Sequence, residues 1–129
     1  MVSYIVGESS LLFVEASAFK ERVQELLDEE TYLAFQNELV RNPEKGTVMK
    51  GCGGLRKART MEPWRGKGRR VGCRVIYLYI PEANRIDLLA VYGKDVQDDL
   101  TMEQRKGMKA LAERARREAL AQRRRQKDK

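Results

Sequence analysis

A chain of 129 residues is long enough to bury one domain core without disulfides. It contains no histidine, which excludes imidazole metal sites, Ser-His-Asp triads and histidine acid–base catalysis, and its two cysteines, Cys52 and Cys73, lack metal-ligand spacing. The net charge of +7 is segregated: residues 1–49 have 4 basic and 9 acidic side chains and residues 75–103 have 2 and 6, whereas residues 50–74 have 9 and 1 and residues 104–129 have 11 and 3. Two basic blocks on an otherwise acidic chain point to a polyanion-binding face.

Residues 1–10 show no periodicity and read as a leader or a short extra strand. Leu11 to Glu15 (LLFVE) reads as a buried strand. Ser17 is placed to cap a helix in which Phe19, Val23, Leu26 and Leu27 recur at helical spacing. Asp28 is placed to cap a second helix, with Tyr32, Phe35, Leu39 and Val40 on one face and Asn42-Pro43 ending it. So short a connection makes the two an antiparallel helix hairpin. Thr47 to Met49 is a candidate extended segment. GCGG, residues 51–54, is a glycine turn that leads into cations and is suited to close approach to a polyanion.

Three strands follow, LRKART, CRVIYLYI and RIDLLAVY, expected to pair as an antiparallel meander. The basic loop 61–70 joins the first two, and Pro81 to Asn84 turns between the last two. Thr101 and Gln104 form a capping box, and the helix after it presents Met108, Leu111, Ala112, Ala115 and Ala119 as its docking face. Beyond Leu120 the chain is a basic tail, 121–129, too polar to bury and expected to fray. The order strand, helix hairpin, antiparallel strands, helix defines a single α+β domain over residues 1–129. No apolar run is long enough to span a bilayer and no export signal is visible, so a cytoplasmic location and reduced cysteines are expected.

Side chains alternate along a strand, so Lys57 and Arg59 share one face and Arg56 takes the other. On the next strand Arg74 goes with Ile76 and Leu78; on the last, Tyr92 goes with Lys94. Arg74, Tyr92 and Lys94 are therefore candidates to converge with one pair from the first strand, and the set Lys57, Arg59, Arg74, Tyr92 and Lys94 suits phosphodiester chemistry. Arginine bridges phosphate oxygens and stabilises charge on a pentacoordinate phosphorus, a crowded lysine can take a 2′-hydroxyl proton, and tyrosine or arginine can assist the leaving oxygen. Arg56, with Trp64, Arg65, Lys67, Arg69 and Arg70 of the loop, supplies candidate RNA contacts, Trp64 by stacking on a base. The cations by themselves equally suit plain RNA binding.

The ordered set GGLRKAR, GKGRRVGCRVIYLY, NRIDLLAVYGK and DLT-x-x-Q resembles the RelE/HigB toxins of type II toxin–antitoxin systems, and most of all the HigB branch, over residues 11–120. The resemblance implies a RelE-type fold, with an N-terminal strand and helix hairpin packed on a small twisted antiparallel sheet and a C-terminal helix. It implies an mRNA interferase that cleaves mRNA in the ribosomal A site by attack of the 2′-OH on the adjacent phosphate, without metal or other cofactor. It also implies three partners: the ribosome with its 16S rRNA, the mRNA, and a cognate antitoxin. Arg56, Lys57 and Arg59 match the family's basic first strand, Arg74 its middle-strand arginine, and Lys94 its last basic position. Asp95 stands where RelE has arginine, and Leu100 falls near RelE's catalytic tyrosine. Either Tyr92 and Lys94 take those roles or the chemistry is distributed differently. A ParE-like gyrase inhibitor of the same fold without nuclease activity is the alternative, and a non-catalytic RNA- or ribosome-binding module is a third.

Overall fold

A computed structural model describes residues 2–60, 72–93, 96 and 100–127. Its elements in chain order are β1 (Val2–Ile5), β2 (Leu12–Glu15), α1 (Ser17–Leu26), α2 (Glu29–Arg41), β3 (Thr47–Val48), β4 (Arg56–Arg59), β5 (Cys73–Ile80), β6 (Arg85–Gly93) and α3 (Met102–Lys127). The strands form one six-stranded sheet in the order β1-β2-β6-β5-β4-β3. The fold is α+β.

The expected meander β4-β5-β6 is present and antiparallel. The sheet as a whole is mixed, however, because β2 lies parallel to β6. The α1–α2 hairpin and three more strands intervene before the chain returns beside β2, and it returns running the same way. The first residues are a strand and not a loose leader: β1 pairs antiparallel with β2 from Val2–Glu15 to Ile5–Leu12. A bulge between Ile76 and Tyr77 leaves Leu89 of β6 without an opposite residue.

The sheet is covered on both faces. One layer is the helix hairpin, where Phe19 and Val23 of α1 and Phe35 and Leu39 of α2 bury against Phe13, Val75, Tyr77, Ile86 and Leu88. The other layer is α3, whose Ala112, Ala115 and Ala119 pack on Ile76, Leu78, Ile80, Cys52 and Leu55. Leu111, expected on the docking face, is 43% exposed; the small alanines make the contact and let the helix lie close. Cys52 and Cys73 are buried, free thiols that belong to opposite layers, so they cannot meet.

Capping follows local chemistry with one exception. Asp28 accepts from the Thr31 amide, and Thr101 and Gln104 exchange the two hydrogen bonds of a capping box at 2.9 and 3.1 Å. Ser17 does not cap α1 but is its first residue; Ala16 holds the cap position while its amide still donates to Leu88 O, so β2 runs straight into the helix. The helix α3 does not fray at Leu120 but continues to Lys127. Ala119 is buried, Gln122 is held from the sheet, and arginine and glutamine are good helix formers.

The anchor for α3 is a buried polar group. Arg85 Nε and Nη2 donate to the Asp87 carboxylate at 2.6 and 3.0 Å, and Nη1 donates to Gln122 Oε1 at 3.0 Å. Glu118 lies 3.6 Å from the same guanidinium. Nearer the middle of the helix, the positive-φ glycines Gly53 and Gly54 are its seat. A Cβ on Gly53 would come within 3.2 Å of Ala112 and of the Lys109 carbonyl, and Arg116 donates to Gly53 O at 3.0 Å. The glycine turn thus closes on α3.

Candidate nucleic-acid site

The register of three strands builds the site. Arg59 is paired with Arg74 across β4–β5, Arg74 with Tyr92 across β5–β6, and Lys57 with Ile76 one same-face step along. Pairing residues share a face, so Lys57, Arg59, Arg74 and Tyr92 all lie on the α3 side of the sheet. Thr47, opposite Lys57, extends this face to the sheet edge.

Lys57, Arg59 and Arg74 line a cavity of about 660 Å³ together with Thr47, Val96 and Lys45. No acidic side chain is among its described lining residues. Among the described residues neither Arg59 nor Arg74 has a salt-bridge partner, whereas Lys57 and Tyr92 do take part in further contacts. Two arginines on facing strands, stacked at the spacing of a cross-strand pair, make a site to which a phosphate can be held by several charge-assisted hydrogen bonds at once.

Lys45 is a member of the cavity that sequence reasoning missed. It follows α2 in the acidic first half of the chain, where the charge blocks drew no attention. Its ammonium pairs with Glu38 and stands 5.5 Å over the Phe35 ring, and burial pushes its pKa below the ordinary lysine value. A short apolar pocket of about 350 Å³ adjoins the cationic one and shares Val96 with it. Tyr92 lines this second pocket rather than the first.

Arg56 is not part of the cluster. It faces the helix hairpin, where Nη1 donates to the carbonyls of Glu44 and Gly46 at 3.1 and 2.8 Å and Nη2 lies 3.5 Å from the Glu44 carboxylate. Tyr77, its cross-strand partner, works on the same loop: it donates to Pro43 O at 2.9 Å and accepts from the Gly46 amide at 2.8 Å. Together they fix the loop that carries Lys45. The candidate residues Trp64, Arg65, Lys67, Arg69, Arg70 and Lys94 lie outside the described residues.

A second buried polar cluster lies on the hairpin side of the sheet. The Glu15 carboxylate is 6% exposed and accepts from Tyr4 at 2.6 Å and from Tyr32, while Gln36 donates to Tyr4. Burial first, and then the hydrogen bond to Glu15, push the Tyr4 phenol up to about 12; the same causes raise Tyr32. All members are satisfied, so the cluster ties β1 and β2 to α2.

No group of three or more cysteine and carboxylate side chains able to hold a metal occurs among the described residues, and no helix there is long and apolar enough to cross a membrane. No protein-family model matches this chain.

Proposed function

We propose that this chain is the toxin of a type II toxin–antitoxin module, a RelE/HigB-like endoribonuclease that cuts mRNA in the A site of the translating ribosome and so inhibits translation. The observation that carries the reading is the continuous row Arg59–Arg74–Tyr92 on one face of the sheet, in which Arg59 and Arg74, with Lys57 beside them, line a cavity without described acidic lining. The sequence resemblance supports it over the same strands. On this reading a cognate antitoxin neutralises the protein in the cytoplasm.

The row is suited to transesterification. Arg59 and Arg74 would hold the scissile phosphate and stabilise the added negative charge as the ribose 2′-oxygen attacks and the bond from phosphorus to the 5′-oxygen breaks. Arginine stays protonated, so the proton leaving the 2′-OH and the proton reaching the 5′-oxygen fall to groups that can exchange one. Among the described residues on this face these are Lys57 and Tyr92. The products are a 2′,3′-cyclic phosphate and a free 5′-hydroxyl.

Primer extension on an mRNA incubated with the protein, with and without translating ribosomes, tests this. In-frame cuts that require translation are expected. Arg74→Ala should lower the cleavage rate by about 10²- to 10³-fold, the worth of one transition-state donor, while ribosome binding survives. Cuts on free RNA would make it a nuclease of another kind, and no cuts in either tube would point to gyrase binding.

A further inference from the structure

Apart from Tyr92, the apolar pocket beside the cationic cavity is not used by the chemistry above. Met49, Ile76, Ala90, Tyr92, Val96 and Leu100 line it, and of these only Tyr92 carries a polar side-chain group. Its position is set by the same register. Arg74 pairs with Tyr92, and the next same-face pair along the two strands is Ile76 with Ala90. The floor of the apolar pocket is therefore two residues, about 7 Å, from the arginine row. Val96 lines both spaces.

A ligand that fills both must carry an anion and, one short step away, a flat or compact apolar group. A nucleotide has that shape. We infer that the pocket over Ile76, Ala90 and Leu100 seats the nucleobase adjoining the phosphate held by Arg59 and Arg74, with Tyr92 at the boundary between base and phosphate. This rests on the reading of the arginine row as a phosphate site. A wall of methyl groups offers contact area and no donor–acceptor pattern, so the pocket selects by ring size: purines over pyrimidines, with adenine and guanine treated nearly alike.

The test uses short 2′-O-methyl RNA oligonucleotides, which have no 2′-OH to react, against an abasic oligonucleotide of the same phosphate count. Methyl-resolved NMR on the whole protein reads the site directly. Purine-bearing RNA should shift the methyl signals of Ile76, Ala90 and Leu100 and bind roughly ten- to a hundredfold tighter than the abasic control, the worth of one stacked base. Ala90→Phe, which fills the pocket, should erase that advantage while abasic binding persists. Leu100→Ala, which removes a wall, should reduce the advantage too.

Equal affinity for base-bearing and abasic RNA, with those methyls unmoved, overturns the base pocket and leaves the phosphate site standing. Failure of both oligonucleotides to bind overturns the phosphate site and the pocket together. Shifts of the same methyls by an acidic peptide with a leucine side chain, and not by RNA, would make this a protein-docking site and also overturn the inference.

Discussion

Arg56 and Lys57 are adjacent cations of the same strand, and the pleat gives them unrelated tasks: one locks the loop 43–46, the other lines the cavity. Gly46 shows how tightly that loop is held, since a Cβ there would sit 2.8 Å from the Tyr77 ring. The alternation was legible in the sequence, but which face would carry the helix hairpin was not, because both sheet faces are apolar enough to be covered. Tyr4 was illegible for a different reason: its partners Glu15, Tyr32 and Gln36 come from two other elements, β2 and α2, and no local pattern joins them. Its raised pKa has a consequence with a definite sign. The folded protein holds the phenolic proton more tightly than the unfolded chain, whose tyrosines titrate near 10, so this contribution is full below about pH 10 and is lost as pH climbs through about 12. Urea denaturation between pH 9 and 12 should show falling stability. Tyr4→Phe should cost about 1 kcal/mol at neutral pH and flatten part of that decline; an unchanged slope would mean that Tyr4 is not among the titrating groups.

Among the elements, α3 was the most legible at its start and the least at its end. The capping box is a four-residue pattern and reads directly, whereas the helix's continuation past Leu120 depends on Arg85, a residue more than thirty positions away on β6. The parallel pairing of β2 with β6 was hidden for the same reason, since it depends on where the chain returns and not on the composition of either strand. The Arg85–Asp87 pair is nearly sealed from solvent, and burial raises the Asp87 pKa against the opposing pull of Arg85. A pair of this kind contributes little net stability when whole, but removing one partner leaves a buried charge uncompensated. Asp87→Ala is therefore expected to destabilise the protein by about 3–5 kcal/mol, and a double replacement of Arg85 and Asp87 by apolar residues of similar volume should cost far less. Thermal unfolding measures both; equal losses in the two variants would contradict the clasp.

Among the described residues, Lys57, Arg59 and Arg74 of the first basic block lie on the same side of the sheet as the second block, while Arg56 faces the hairpin. The row Lys57–Arg59–Arg74 lies on the face that α3 covers, and α3 itself carries the second block on its outer surface. That side therefore gathers cations from distant segments of the chain. Position along that side separates chemistry from steering. Arg123 is exposed and lies one residue beyond Gln122, which is tied to Arg85 at the far end of β5–β6 from Arg74. From Arg74 to the Ile80–Arg85 pair is six strand residues, about 20 Å, well over twice the screening length of about 8 Å at physiological salt. A charge so far away cannot stabilise a transition state at Arg74, yet it can attract an extended polyanion. Arg123→Ala should thus lower the slope of log affinity for single-stranded RNA against log salt by about 0.7 to 1, with the cleavage rate at saturating ribosomes unchanged. Loss of cleavage in that variant, comparable to the loss in Arg74→Ala, would place the reacting phosphate near the end of α3 instead of over the β4–β6 row.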